Sequence, residues 1–216
     1  MKNNVTELVF IIDRSGSMSG FEGDTIGGFN SMIEKQREED GKVYVSTVLF
    51  NNNSQVIHDR VDINDIEPMT RNDYRVYGCT ALLDALGSAI HHIGNVHKYA
   101  REDDRPKGTL FVIITDGCEN SSRRYTYDKV KKMVERQKEK YGWEFLFLGA
   151  NIDAVTTAAG FGISADRAVT YEADAKGTRM NFDAVSQVVG CVRNCAPIQG
   201  NWKESIEEHK RRKGRK

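Results

Sequence analysis

The sequence lacks a long apolar segment. Its first residues, from Met1 to Glu7, contain no apolar signal region, and the hydrophobic run that follows is interrupted at Asp13. A membrane-spanning helix needs about 20 consecutive apolar residues, and a secretory signal needs an apolar stretch behind a basic start. The sequence therefore predicts neither a membrane span nor a secretory leader, and we expect a cytoplasmic protein.

Net charge is also absent. The 216 residues carry 31 basic and 31 acidic side chains, so no overall electrostatic field draws the chain to nucleic acid or to an anionic membrane. The exception is a basic stretch from His209 to Lys216, and we expect residues 206–216 to form a disordered tail. Only four cysteines are present, and in a reducing compartment they are expected to be thiols.

Motifs of common catalytic classes are missing as well. The chain has neither a phosphate-binding P-loop nor a G-x-S-x-G nucleophile elbow, so we do not expect an enzyme. One catalytic alternative stays open, because aspartates at strand ends also hold Mg²⁺ for phosphoryl transfer. Haloacid-dehalogenase-like phosphatases place a nucleophilic aspartate after their first strand, as Asp13 is placed here. They need a second carboxylate two residues later, where this chain has Ser15.

What the chain does contain is an alternation of apolar strands and helical patterns. The first and fourth predicted strands are nearly continuous apolar runs, which is typical of parallel strands covered on both faces. A turn-rich link from Asn51 to Ser54 predicts an antiparallel hairpin at one edge. We therefore expect one α/β domain with a doubly wound, mostly parallel six-stranded sheet and helices on both faces. Strands are predicted at residues 7–13, 42–51, 55–62, 109–115, 144–149 and 167–171, and helices at 25–38, 81–99, 127–141, 154–161 and 181–195.

Oxygen-bearing side chains stand where three of these elements begin or end. Asp13, Ser15 and Ser17 follow the first strand in a D-x-S-x-S pattern, Thr80 precedes the second helix, and Asp116 follows the fourth strand in a T-D-G context. Such oxygens suit hard cations such as Mg²⁺ or Mn²⁺ and offer little to Zn²⁺ or Cu²⁺. Asp and Ser also cap helices, so the first loop alone leaves capping open. The three loops together predict a divalent metal site.

The combined pattern resembles the von Willebrand factor type A (vWA) domain family over about residues 5–200. Members bind a cation at a metal-ion-dependent adhesion site (MIDAS), built from D-x-S-x-S, a later Thr and a later Asp. The resemblance implies a single vWA-like domain over residues 1–205, of the stand-alone bacterial kind, with the Rossmann-like strand order 3-2-1-4-5-6. In that order the winding reverses between strands one and four, where ligands of open α/β sheets bind. All five MIDAS positions are filled here, by Asp13, Ser15, Ser17, Thr80 and Asp116.

Recognition of another protein is the function that this resemblance implies. The five side chains would hold Mg²⁺ or Mn²⁺, with Ca²⁺ as a further option, and the cation would accept a Glu or Asp carboxylate from a protein partner; no membrane partner is implied. RNA binding through the basic tail is an alternative, since RNA-binding relatives carry this domain. Glu119 and Asn120, which follow Asp116, could border the metal or cap the next helix.

Overall fold

The computed structural model describes residues 5–214, which form one six-stranded sheet with helices on both faces. The strands are β1 (Val5–Asp13), β2 (Lys42–Phe50), β3 (Ser54–Asp62), β4 (Gly108–Thr115), β5 (Glu144–Ala150) and β6 (Ala168–Tyr171). The α-helices are α1 (Glu22–Arg37), α2 (Leu82–Tyr99), α3 (Tyr127–Tyr141), α4 (Ala154–Gly160), α5 (Ala175–Arg193) and α6 (Glu204–Lys213). Within residues 5–214, every helix is too short or too polar to cross a bilayer.

The strand order is β3-β2-β1-β4-β5-β6, which confirms the predicted order. Neighbouring strands are parallel except for β2 and β3, which pair antiparallel across the Asn51 turn. Within that turn, the Asn51 carboxamide accepts a hydrogen bond from the Asn53 amide at 3.1 Å. The predicted hairpin at one edge of the sheet is therefore confirmed.

Strand β1 lies at the centre of the sheet and is buried along nearly its whole length. Its side chains alternate between two cores, because successive residues of a strand point to opposite faces. Phe10 and its even-numbered neighbours pack with residues of α1 and α5, whereas Val9 and Ile11 pack with residues of α2 and α3. The strand therefore has apolar cover on both faces, as its continuous apolar run predicts.

The parallel pairing of β1 and β4 brings their carboxyl ends to one place. Ile12 stands opposite Ile114 in the register, so Asp13 and Thr115 are the next residues of the two strands at the same edge of the sheet. The chain reverses its winding between these strands, which leaves room above them for the loops that follow. This edge is where the predicted metal ligands converge.

Two helices begin earlier than predicted. Helix α1 begins at Glu22, three residues before the predicted start, and α5 begins at Ala175, six residues before it. The start of α5 is fixed by Asp174, whose carboxylate accepts a hydrogen bond from the Gly177 amide at 2.7 Å. A Cβ atom on Gly177 would lie 2.1 Å from the Glu172 carbonyl oxygen, so this turn requires glycine. That glycine weakens the helical pattern in the sequence.

The prediction of a disordered tail over residues 206–216 is wrong for the part of the tail that the structure describes. Helix α6 continues to Lys213 and packs against β6 and α5, with Ile206 only 1% exposed. His209 and Lys213 lie 3.2 and 2.7 Å from carboxylate oxygens of Asp174, and they join α6 to the start of α5. Arg215 and Lys216 lie outside the described residues.

Replacing Ile206 with alanine tests the docking of α6. We expect Ile206→Ala to lower the free energy of unfolding by about 2–5 kcal/mol, because it empties a fully packed position. The control is Val56→Ala in β3, where the valine is 55% exposed and the loss should stay below about 0.5 kcal/mol. Urea unfolding followed by circular dichroism measures both, and equally small losses would contradict the packing of α6.

Candidate metal centre

Asp13 is the most buried of the five predicted ligands, with no exposed surface. Its Oδ1 accepts a hydrogen bond from the Ser15 amide at 2.7 Å, and its Oδ2 accepts one from Thr115 Oγ1 at 2.6 Å. The hydroxyl of Tyr74 donates to the Asp13 main-chain carbonyl. The carboxylate is therefore fixed in one orientation at the end of β1.

Burial makes both carboxyl groups of the site harder to ionise. It raises the pKa of Asp13 from 3.8 to about 6, with a small addition from the negative charge of Asp116, against the opposing hydrogen bonds from Thr115 and Ser15. Burial also raises the pKa of Asp116, against the hydrogen bond from Ser17. The ionised site therefore carries a desolvation cost, which a bound cation would offset.

The two serines of the D-x-S-x-S loop connect Asp13 to Asp116. Ser15 Oγ and Ser17 Oγ lie 3.1 Å apart, and Ser17 Oγ donates to Asp116 Oδ1 at 2.5 Å. The other carboxylate oxygen of Asp116, Oδ2, is buried and has no hydrogen-bond partner among the described residues. A buried carboxylate oxygen without a partner is costly, and it is a suitable ligand for a cation.

Thr80 brings the third loop to the site, next to Gly117. A Cβ atom built on Gly117 would lie 3.2 Å from Thr80 Oγ1 and 3.4 Å from Ser17 Oγ, so the two hydroxyls face the same small space. Thr80 is buried, at 2% exposure, whereas Ser17 is exposed. The site is thus closed on the Thr80 side and open to solvent on the Ser17 side.

Gly78 lets the Thr80 loop lie close to its neighbours. Its φ of +82° belongs to the left-handed region, and its carbonyl accepts a hydrogen bond from the Gly16 amide at 3.0 Å. A Cβ atom here would lie 2.1 Å from Asn52 Oδ1. Glycine is therefore needed both for the backbone conformation and for the close approach.

The structure brings together all five residues that the sequence singled out, from three separate loops. Within residues 5–214 no three His, Cys, Asp or Glu side chains are grouped as a metal site, so any cation here would depend on hydroxyl ligands beside the two carboxylates. Such an all-oxygen set suits hard cations, and the unpartnered Asp116 Oδ2 offers a free ligand. Thr115 and Tyr74, which orient Asp13, were not predicted from the sequence; of the two, Thr115 carries a signal, as the threonine of the T-D-G pattern.

No protein-family model and no curated protein sequence matches this chain. The structure is similar to solved vWA domains at identities that show the fold alone. A von Willebrand factor type A protein from Catenulispora acidiphila is 14% identical, with a TM-score of 0.56 over 84% of this chain and 42% of that one. The vWF domain of the type V pili tip protein Mfa5 from Porphyromonas gingivalis is 10% identical, with a TM-score of 0.61 over 90% of this chain and 98% of that one.

A third similar structure is the proximal thread matrix protein 1 from the mussel byssus, with a zinc-occupied MIDAS motif. It is 13% identical, with a TM-score of 0.57 over 85% of this chain and 45% of that one. This chain therefore spans less than half the length of two of these three structures. The fold is that of the vWA domain.

Replacing Asp13 with asparagine should stabilise the metal-free protein. Asparagine keeps the acceptor for the Ser15 amide, and its Nδ2 can donate to Thr115 Oγ1, whose hydroxyl can turn to the Gly117 carbonyl 3.1 Å away. At neutral pH we expect a gain of about 3 kcal/mol in unfolding free energy, which corresponds to a pKa raised from 3.8 to about 6.

The stability difference between Asp13→Asn and wild type should depend on pH, in a direction that the raised pKa of Asp13 determines. Because the folded-state pKa of Asp13 is raised, its contribution to wild-type stability is present below about pH 4 and is lost as the pH rises through about 6. The gain of Asp13→Asn over wild type should therefore grow across that window. Chemical unfolding at several pH values in EDTA measures it, with Asp65→Asn at the far end of the sheet as the control. A constant difference would contradict the raised pKa.

Adding a methyl group at Gly117 should obstruct the space between the two hydroxyls. The Gly117→Ala methyl would press on Thr80 Oγ1 and Ser17 Oγ while the backbone keeps an ordinary conformation, so we expect an intact fold and weaker divalent-cation binding. Gly27→Ala is the matched control, because a Cβ atom there meets nothing within 4 Å. Calorimetric titration with Mg²⁺ compares the variants, and equal affinities would show that this space is not part of the site.

Proposed function

We propose that this chain is a divalent-cation-dependent protein-binding module. In it, Asp13, Ser15, Ser17, Thr80 and Asp116 hold Mg²⁺ or Mn²⁺, and the cation takes a Glu or Asp carboxylate from a partner protein. The observation that carries the proposal is the convergence of carboxylate and hydroxyl oxygens from three loops, one of which supplies Asp116 with a buried, unpartnered Oδ2.

The balance of charge and burial supports recognition by a carboxylate. Two carboxylates neutralise a divalent ion formally, while the three hydroxyls add neutral ligands only. When bound, the cation supplies an electrophilic centre that attracts an incoming anionic oxygen. The exposed Ser17 side of the site gives a partner access, and the buried Thr80 side keeps the surroundings poor in water, where charge pairing is stronger.

The same residues support binding over catalysis. Phosphoryl transfer by a nucleophilic Asp13 would call for a second carboxylate at position 15, and Ser15 instead lies against Ser17. Both oxygens of Asp13 are engaged by Ser15 and Thr115, which favours a role as a fixed ligand over one as an attacking group. We therefore propose a module without enzymatic activity.

Two other features of the chain support our proposals for location and partner class. Cys79, Cys118 and Cys195 are exposed free thiols, which supports our proposal of a reducing, cytoplasmic setting. In α6, Arg212 pairs with Glu208 and Lys213 with Asp174, so part of the basic stretch is already neutralised. This favours a protein partner over RNA.

Selection of random displayed peptides on the Mn²⁺-loaded protein tests the proposal. We expect the retained peptides to be enriched in Glu or Asp, because the open position of a hard cation selects carboxylate oxygens. Their binding should be reversed by EDTA and absent in Thr80→Val, which removes one hydroxyl and keeps the side-chain shape. Ser19→Ala is the control, since Ser19 is an exposed serine of the same loop outside the MIDAS pattern. Retention that is insensitive to both EDTA and Thr80→Val would overturn the proposal.

A further inference from the structure

Helix α2, which begins two residues after Thr80, has no cap from its own side chains. Its N-cap residue, Ala81, has no side-chain oxygen, yet a helix begins with amide groups that need acceptors. The acceptors come from the loop that follows β4. Glu119 Oε2 accepts from the Leu83 amide at 2.8 Å, and Ser122 Oγ accepts from the Asp84 amide at 3.0 Å.

Asn120 binds both backbone groups of Thr80. Its Oδ1 accepts a hydrogen bond from the Thr80 amide at 2.9 Å, and its own amide donates to the Thr80 carbonyl at 3.0 Å. These two contacts leave the Thr80 backbone little freedom to rotate. The orientation of the Thr80 side chain is therefore tied to the loop that carries Asp116.

Helix α2 in turn binds the loop that follows β4, through the side chain of Asp84. The Asp84 carboxylate accepts hydrogen bonds from the amides of Arg123, Arg124 and Tyr125, each at 2.9 Å. Burial raises the pKa of Asp84, but these hydrogen bonds outweigh it and hold the pKa below its ordinary value. Glu119 Oε1 also accepts from the Ser122 amide at 2.7 Å. The contacts run both ways, so a displacement of either segment alone would break hydrogen bonds to the other.

We propose that Asn120, Glu119, Ser122 and Asp84 are positioning residues, which hold Thr80 Oγ1 at its place beside Ser17 and Asp116 for cation binding. We call these four residues the clasp. The inference rests on the proposed function, because it concerns the affinity of that same site. A ligand that is fixed in advance loses less conformational entropy when the cation binds, so the clasp should raise affinity without contacting the ion.

Asn120 offers the sharpest test of the clasp. It is exposed, so its replacement removes no buried packing, and its side chain contributes the acceptor for the Thr80 amide. Asn120→Ala deletes that acceptor, whereas Asn120→Asp keeps an oxygen in the same place. Asn64→Ala is the matched control, because Asn64 is an exposed asparagine whose hydrogen bonds go to Asp62, at the end of β3.

The experiment measures Mn²⁺ affinity by electron paramagnetic resonance of the free ion, Mg²⁺ affinity by calorimetry, and amide exchange of Thr80 in EDTA. We expect Asn120→Ala to bind both ions roughly tenfold more weakly and to exchange the Thr80 amide faster. Asn120→Asp should restore both properties, and Asn64→Ala should resemble wild type. Rescue by the aspartate separates positioning from a general loss of stability.

The outcomes distinguish this inference from the function on which it rests. A wild-type protein that binds the ions, with Asn120→Ala at the same affinity, would overturn the positioning role and leave the proposed function standing. Weak binding in both Asn120→Ala and Asn120→Asp would overturn it too, because the acceptor oxygen would then not be what matters. A wild-type protein that binds neither ion would overturn the proposed function as well.

Discussion

The burial of two carboxylates at the carboxyl ends of β1 and β4 is the constraint on which the rest of the site depends. Asp13 and Asp116 are at most 4% exposed, and they are placed there by strand pairing that buries apolar residues on both faces of the sheet. Removing a carboxylate from water is costly unless hydrogen bonds or a counter-charge compensate it. The surrounding hydroxyls of Ser17 and Thr115 supply part of that compensation.

This arrangement carries a cost in stability at one edge of the sheet. The apolar cores pack around β1 independently of any cation, so the fold can bear a local cost at the end of the strand. Buried polar groups that cost stability are most often found at functional sites, which is consistent with our proposal of a metal site here. The unpartnered oxygen of Asp116 and the raised pKa of Asp13 both reflect the cost of burying these carboxylates.

Much of this architecture could be predicted from the sequence, because the relevant signals are local. Buried parallel strands such as β1 and β4 are continuous apolar runs, and the residues that follow them must meet at one edge of the sheet. Helix α6 could not be predicted in this way. It has one buried apolar residue, Ile206, among charged ones, and its position depends on a distant partner, Asp174.

The contacts of Glu119 and Asn120 could not be predicted from the sequence either. They join residues 36 and 40 positions apart, for which no spacing rule exists. The sequence suggested that these residues border the metal or cap the next helix, but Glu119 caps α2, the helix before it. That assignment needed the folded chain, because the missing N-cap of α2 at Ala81 is visible only once the helix boundary is known.

The capping of α2 by a loop from beyond β4 also bears on the order of folding. The first turn of α2 lacks acceptors until β4 has paired with β1 and delivered Glu119 and Ser122. Contacts between distant segments form late, because closing a long loop costs chain entropy before the contacts form. The Thr80 end of α2 should thus fray in a nascent or partly folded chain. In such a chain Thr80 would not yet be fixed next to Ser17 and Gly117, so this group of oxygens would be complete only once the sheet has formed.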